Sequence, residues 1–323
     1  MAKLTEYIQL ADKAKYFTNG DNRIVLNVDH IFQKLEEFKA TGDFIFRGCS
    51  EAKYRIYNSA QRHYITNELF KQVPSADISN HYDSFISNLI DECKSWNNET
   101  VKNLLINNKV HEDNSLAYLS YMQHYGVPSP FLDFTYDPYI ALFFAIDNLN
   151  YTPSENEIDN YFSIYYTYQN ATIFESWKWA FDEKTPNLKS GNIPYSELNK
   201  NSMHILLPDN EAYQIINNTN IINQKGLFFY NNNPFKPLEE TYFDFATYIK
   251  NHLGEAKFNE LLMQDTFAKC FNIHKSLIPY ILDILKSKGI TKDFIYPDIY
   301  KMKNAIIHNA TKKVLITKNK YSC

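Results

Sequence analysis

Residues 121–145 constrain the fold of this chain more than any other stretch. Val127, Pro128, Ser129 and Pro130 forbid helix, because each proline pushes the residue before it into extended geometry. Residues 115–125 before them carry Leu116, Leu119 and Met122 at helical spacing, and Gly126 is a C-terminal stop. Residues 131–134 then read as a short strand. Asp137 and Pro138 open the next helix, with aspartate as cap and proline in the first turn. The body of that helix, 140–146, is apolar nearly all round and therefore buried. The passage is helix, turn, strand, turn, helix, and it places His124, Asp133, Thr135 and Asp137 at the seams, where a rigid scaffold presents polar groups.

The flanking pattern predicts a helix over 27–38, capped by Asn27 or Asp29 and ended by Gly42. A buried strand follows at 44–46, with Arg47 and Gly48 at its exit. Helices are expected over 59–70, 78–107 (interrupted at Asn97 and Asn98), 171–181, 239–253, 276–289 and 298–309. Strands are expected at 162–168, 204–207, 224–230 and 267–273, with an Asn-rich turn before the third and a loop over 182–201. Strands scattered among helices without a regular βαβ rhythm predict an α+β fold, a mixed sheet with a helical N-terminal part. The predicted domain spans 27–310, between an N-terminal extension (1–26) and a C-terminal tail (311–323).

An aromatic content of 16% excludes wholesale disorder. A net charge of -4 without a basic run gives no strong nucleic-acid footprint. Only eight glycines, with no Gly-rich strand-to-helix loop, argue against a Rossmann or P-loop site. The four cysteines lack metal-ligand spacing, so no metal is predicted, and they read as reduced structural thiols. Cys49 is the reservation, since the neighbouring Arg47 favours thiolate. No signal-peptide core and no membrane-length apolar run is present, which predicts a cytoplasmic protein without membrane contact.

Phe46-Arg47-Gly48, Arg62 after Asn58, Gln123 to Pro128 with Phe131 to Thr135, Gln224 before Gly226, and Ile295 before Tyr296 and Pro297 together resemble the FRG domain, a family named for its Phe-Arg-Gly motif. The resemblance spans roughly residues 28–308. Asn58, Cys49, Pro130 and Phe134 stand where the family more often has Pro, Gln, Arg and Trp, and an Arg usual before the Gln-x-Gly block is absent. The order of elements is similar to that of ADP-ribosyltransferases: an early strand bearing Arg, a middle strand ending in a hydroxyl before a helix, a later strand bearing Glu or Gln. This layout implies NAD, or a related nucleotide, as substrate. It implies catalytic roles for Arg47, His124 and Gln224, and cofactor contacts from Arg47, Arg62, Tyr125, Asp133 and Thr135. It further implies loss of nicotinamide, with ADP-ribose passed to a macromolecule or to water, in a bacterial toxin or phage-defence setting. A non-enzymatic nucleotide- or macromolecule-sensing module is the alternative.

Residue chemistry leaves choices open. The Arg47 guanidinium suits bidentate phosphate recognition, or pairs structurally with Asp133 or a carbonyl. His124 is a general base or a helix cap. Asp133, in an apolar strand, needs a partner among Arg47, Arg62 and His124. Thr135 faces a ligand or caps a turn. Gln224 is able to bond a ribose hydroxyl but carries no charge, so Glu211 and Glu240 are candidate acids. Tyr121, Tyr125, Tyr136 and Tyr139 either stack on a ring or pack.

Overall fold

A computed structural model describes residues 3–17, 22–96, 98–107, 111, 113–168, 203–206, 219–254, 256 and 269–297. The fold is α+β. Strands β1 (Asn22–Val25), β2 (Phe44–Cys49), β3 (Phe131–Thr135), β4 (Tyr161–Tyr168), β5 (Met203–Leu206), β6 (Gly226–Asn231) and β7 (Lys269–His274) form one mixed sheet. Its order is β1-β7-β4-β2-β3-β6-β5. β1 runs parallel to β7, and every other neighbouring pair is antiparallel.

Three apolar clusters cover this sheet. One face carries Phe44, Phe46, Ile164, Tyr166, Phe271 and Ile273, packed under α1 (Val28–Thr41), α6 (Pro138–Ile146) and α9 (Ile278–Ser287). Phe131, Phe228 and Tyr230 pack with α2 (Ser59–Thr66), α3 (Ile78–Trp96) and α5 (Ser115–His124). Ile45, Leu132, Phe134, Tyr165, Leu227 and Phe229 pack with Tyr7, Leu10, Phe17, Leu238 and Tyr242. The last two begin α8 (Leu238–Leu253). Register puts Phe46 beside Thr135 and Asp133 beside Phe228. By alternation Phe131, Asp133 and Thr135 therefore share the face of Phe46. Asp133 thus lies where two helical groups meet over one sheet face.

Local chemistry explains the helix limits. Asn27 accepts from the Asp29 amide at the start of α1, and Gly42 (φ 70°) returns its N–H to Phe38 at the end. Asp137 accepts from the Tyr139 amide at the start of α6, where Pro138 sits in the first turn. Asn58 and Gln61 form a reciprocal capping box on α2.

The decisive tertiary contact is at Gly48. A β-carbon built there lies 2.0 Å from the Ala141 carbonyl oxygen and 2.7 Å from the Ala145 amide nitrogen. The α6 backbone thus rests directly on β2, a close approach only glycine permits. β2 pairs with β4 along its whole length, Phe44 to Cys49, but shares only Phe46↔Thr135 with β3. Beyond that pair β2 and β3 separate.

Several expectations need amending. β2 continues through Arg47 to Cys49, so Arg47 is inside the strand, not at its exit. A short helix, α7 (Thr219–Asn223), replaces the Asn-rich turn because Ile221 finds a buried site. Residues 3–17, assigned to an extension, pack into the core, and β1 is a sheet strand. The expected helices at 171–181 and 298–309, the loop at 182–201 and the tail from 311 lie outside the described residues.

Lys13 fastens that N-terminal segment. It is 0% exposed and, among the described residues, faces no carboxylate. Its ammonium donates to Ala52 O (3.1 Å), Ser163 Oγ (2.8 Å) and Asn272 Oδ1 (2.8 Å), satisfying all three protons. The ring of Tyr165 lies 4.9 Å from the charge.

Two stability measurements follow from this packing. Gly48→Ala forces backbone against backbone, and urea unfolding is expected to show a loss of about 3 kcal/mol or more with an unchanged m-value. Lys13→Met removes the lysine donor from Ala52 O and Ser163 Oγ and one of several donors from Asn272 Oδ1, and the expected loss is about 1–3 kcal/mol.

Candidate functional site

The separation of β2 from β3 leaves the Asp133 carbonyl without a strand partner on that side. Arg47 fills the gap: its Nη1 donates to Asp133 O at 2.6 Å. The guanidinium therefore reaches into the mouth between the two strands through an exposed bond, while the residue as a whole is half-buried.

A second guanidinium joins it. Arg62 projects from α2, and its Nη1 donates to Tyr57 O at 3.0 Å. α2 is pinned beside the sheet by Asn58, whose Nδ2 donates to Asn231 O (2.7 Å), and by Ser59, whose Oγ donates to Ser129 O (3.2 Å). Arg62 reaches solvent, yet protein crowds it. Burial, then the positive charge of Arg47, pushes its pKa down, and Cys49 and Asp133 offset only part of this. Among the described residues, neither guanidinium forms a salt bridge. Two neighbouring cations, each tied among the described residues only to a carbonyl, keep most of their N–H donors available to an anion.

Asp133 is the one exposed residue of β3; both neighbours on each side are buried. Gln123, in the last turn of α5, donates its Nε2 to Asp133 Oδ2 at 2.9 Å. An aromatic residue lies within electrostatic range of this carboxylate. Tyr296, following α10 (Lys292–Ile295), feels the charge of Asp133. Its phenol is pushed up to about 12 by burial, then by the charge and hydrogen bond of Asp147. Its ring packs on Phe143 and Phe144, at 6.3 and 6.4 Å.

The remaining sequence-selected residues stand elsewhere or are occupied. His124 is exposed at the end of α5, edge-on to Tyr125 at 4.9 Å, and burial of its ring lowers its pKa. Tyr125 is 62% exposed and also packs on Tyr121. Thr135 is 1% exposed; its hydroxyl donates to Gln224 O (2.6 Å) and accepts from the Asp137 amide (3.0 Å). The Gln224 amide donates to Ile295 O at 3.3 Å, tying the turn before β6 to α10. Glu240 is paired with Arg55 at 2.8 Å, and Glu211 lies outside the described residues. Tyr139 is buried, with its hydroxyl on Glu36. Asp137 caps α6 and pairs with Lys225 at 2.8 Å. Cys49 is not activated: burial raises its thiol pKa and outweighs the opposing pull of Arg47. The structure thus sets Arg47 and Arg62 near Asp133 and adds Gln123, with Tyr296 within electrostatic range of the carboxylate. Both additions sit inside motif blocks quoted from the sequence, but no local signal marks them, because their partner Asp133 is 10 residues from Gln123 and far from Tyr296 in sequence.

Residues 42–153 match the family model described as FRG domain, which supports the FRG family for this stretch. Arg47, Arg62, Gln123 and Asp133 all fall inside the matched segment. No curated protein and no solved structure matches the chain. Among the described residues, no helix is long and apolar enough to cross a membrane.

The His124 shift has a measurable sign. Its folded pKa is below that of a free imidazole, so the unfolded chain takes up the proton first. This contribution to stability is complete above the unfolded pKa and is lost as pH falls through the folded one. Imidazole titration by NMR is expected to place His124 below the ordinary histidine value, and a value above it would contradict the partial desolvation of its ring.

Proposed function

We propose that the Arg47–Arg62 recess binds the diphosphate of an NAD-class nucleotide. The observation that carries this is the pair of mutually repelling guanidiniums with no carboxylate bridging them. Bound diphosphate supplies the charge both lack, and planar guanidiniums offer it paired N–H donors. Asp133 and Tyr296, within electrostatic range of each other, then face the sugar and ring portions of the ligand.

The reaction we infer is ADP-ribosyl transfer or NAD glycohydrolysis. The bond between nicotinamide and the ribose C1′ breaks, and nicotinamide leaves with the bonding electrons. The oxocarbenium-like ribose is then captured by a macromolecular nucleophile or water, which gives up its proton. Support comes from the element order similar to ADP-ribosyltransferases. The FRG match over residues 42–153 adds to it, and a toxin or phage-defence setting is part of the same proposal. One feature favours a second reading, a nucleotide-sensing module without turnover. The position analogous to a catalytic carboxylate is Gln224, an uncharged amide already engaged with Ile295 O.

Labelled NAD distinguishes the two. Nicotinamide release by the wild-type chain, abolished in Arg47→Ala, is the expected result for the enzyme. Binding without release is the result for the module. In either case Arg47→Ala and Arg62→Ala are each expected to weaken nucleotide affinity by about 10-fold or more, the loss of a charge-assisted contact. Undiminished affinity in both variants would overturn the proposal.

A further inference from the structure

Resting on the diphosphate reading of Arg47 and Arg62, we infer that Asp133, held by Gln123, reads the ribose diol of the bound nucleoside diphosphate. The site is thereby selective for an unphosphorylated ribose.

Three observations lead here. Asp133 is exposed at the centre of a strand otherwise buried on both faces, so a gap in the covering layer opens above its carboxylate. Oδ2 is fixed by Gln123, whereas Oδ1 has no hydrogen-bond partner among the described residues. A carboxylate oriented through one oxygen presents the other as a fixed acceptor. Arg47 donates to the carbonyl of this same residue, so phosphate donor and sugar acceptor are anchored to one peptide unit. In a nucleoside 5′-diphosphate a single sugar joins the phosphates to the 2′,3′-diol.

The chemistry of the cleft is directional. Arg47 and Arg62 only donate, and ionised Asp133 only accepts. A vicinal diol offers two donors and fits the acceptor. A 2′-phosphate offers none and brings like charge against the carboxylate. Selectivity for a hydroxyl that fills this acceptor is modest, because water takes the place of a missing hydroxyl on an exposed carboxylate.

The test is titration calorimetry of the full chain with ADP, 2′-deoxy-ADP and 2′-phospho-ADP, on wild type, Asp133→Ala and Gln123→Ala. Wild type is expected to bind ADP about 10-fold more tightly than 2′-deoxy-ADP, the value of one hydrogen bond to a charged group. It is expected to discriminate further against 2′-phospho-ADP. Both preferences should vanish in Asp133→Ala and narrow in Gln123→Ala. Equal binding of ADP and 2′-deoxy-ADP by wild type, or a preference that survives in Asp133→Ala, overturns the diol assignment while leaving the diphosphate site standing. Failure of wild type to bind ADP, or binding indifferent to Arg47→Ala, overturns both.

Discussion

Residue 48 carries no side chain because α6 occupies the space one would fill. That contact organises the molecule from the centre outward. The helix lying on β2 is apolar on almost every side, so it is stable only under cover. Its start is fixed by Asp137 and Pro138, directly after β3. β2 is thereby trapped between α6 above and its full pairing with β4 alongside, while only one residue pair holds it to β3. The parting of β2 and β3 is the consequence, and Arg47 occupies it. The Phe-Arg-Gly triplet is therefore one structural statement. Phe46 pairs with Thr135 and fills the core, Arg47 enters the gap, and Gly48 admits the helix.

The opposite face explains why the gap stays open without loosening the sheet. There the N-terminal segment lies across β4 and β7, bolted by Lys13 to Ser163 and Asn272. Nearby, Glu239 is fully committed to Tyr7, Arg55 and the Ile56 amide. These networks are satisfied and buried, so they hold geometry without offering reactive groups. The Arg47–Arg62 pair is the reverse case. Its charges repel, its donors are only partly used, and solvent reaches it. Folding alone gains nothing from bringing two guanidiniums together, whereas binding of an anion does.

Much of the fold was legible in the sequence because helix limits are set within a few residues. Asn27 and Gly42 bound α1, and Asp137 and Pro138 open α6, as the local pattern predicted. The α+β class followed from irregular alternation of elements. What local pattern missed depends on distant partners. Residues 3–17 look like an extension until Lys13 meets Asn272, 259 residues away. α7 reads as a turn by composition, and only the buried pocket for Ile221 makes it helical. The site divides the same way. Arg47, Arg62 and Asp133 stood out as charges in apolar or motif contexts; Arg47 bonds the Asp133 carbonyl, and Arg62 lies near enough to feel the charges of both. Thr135 and Gln224 stood out equally, yet Thr135 bonds the Gln224 carbonyl and the Gln224 amide bonds the Ile295 carbonyl. A side-chain oxygen or amide in a motif does not disclose whether a backbone group has already claimed it.

The most direct test of this account is a crystal structure of the chain with ADP-ribose bound. The account places the diphosphate within hydrogen-bond distance of both the Arg47 and Arg62 guanidiniums, at the mouth between β2 and β3. A ligand seated elsewhere, or one whose phosphates point to solvent while the two arginines remain on the carbonyls of Asp133 and Tyr57 alone, would contradict it.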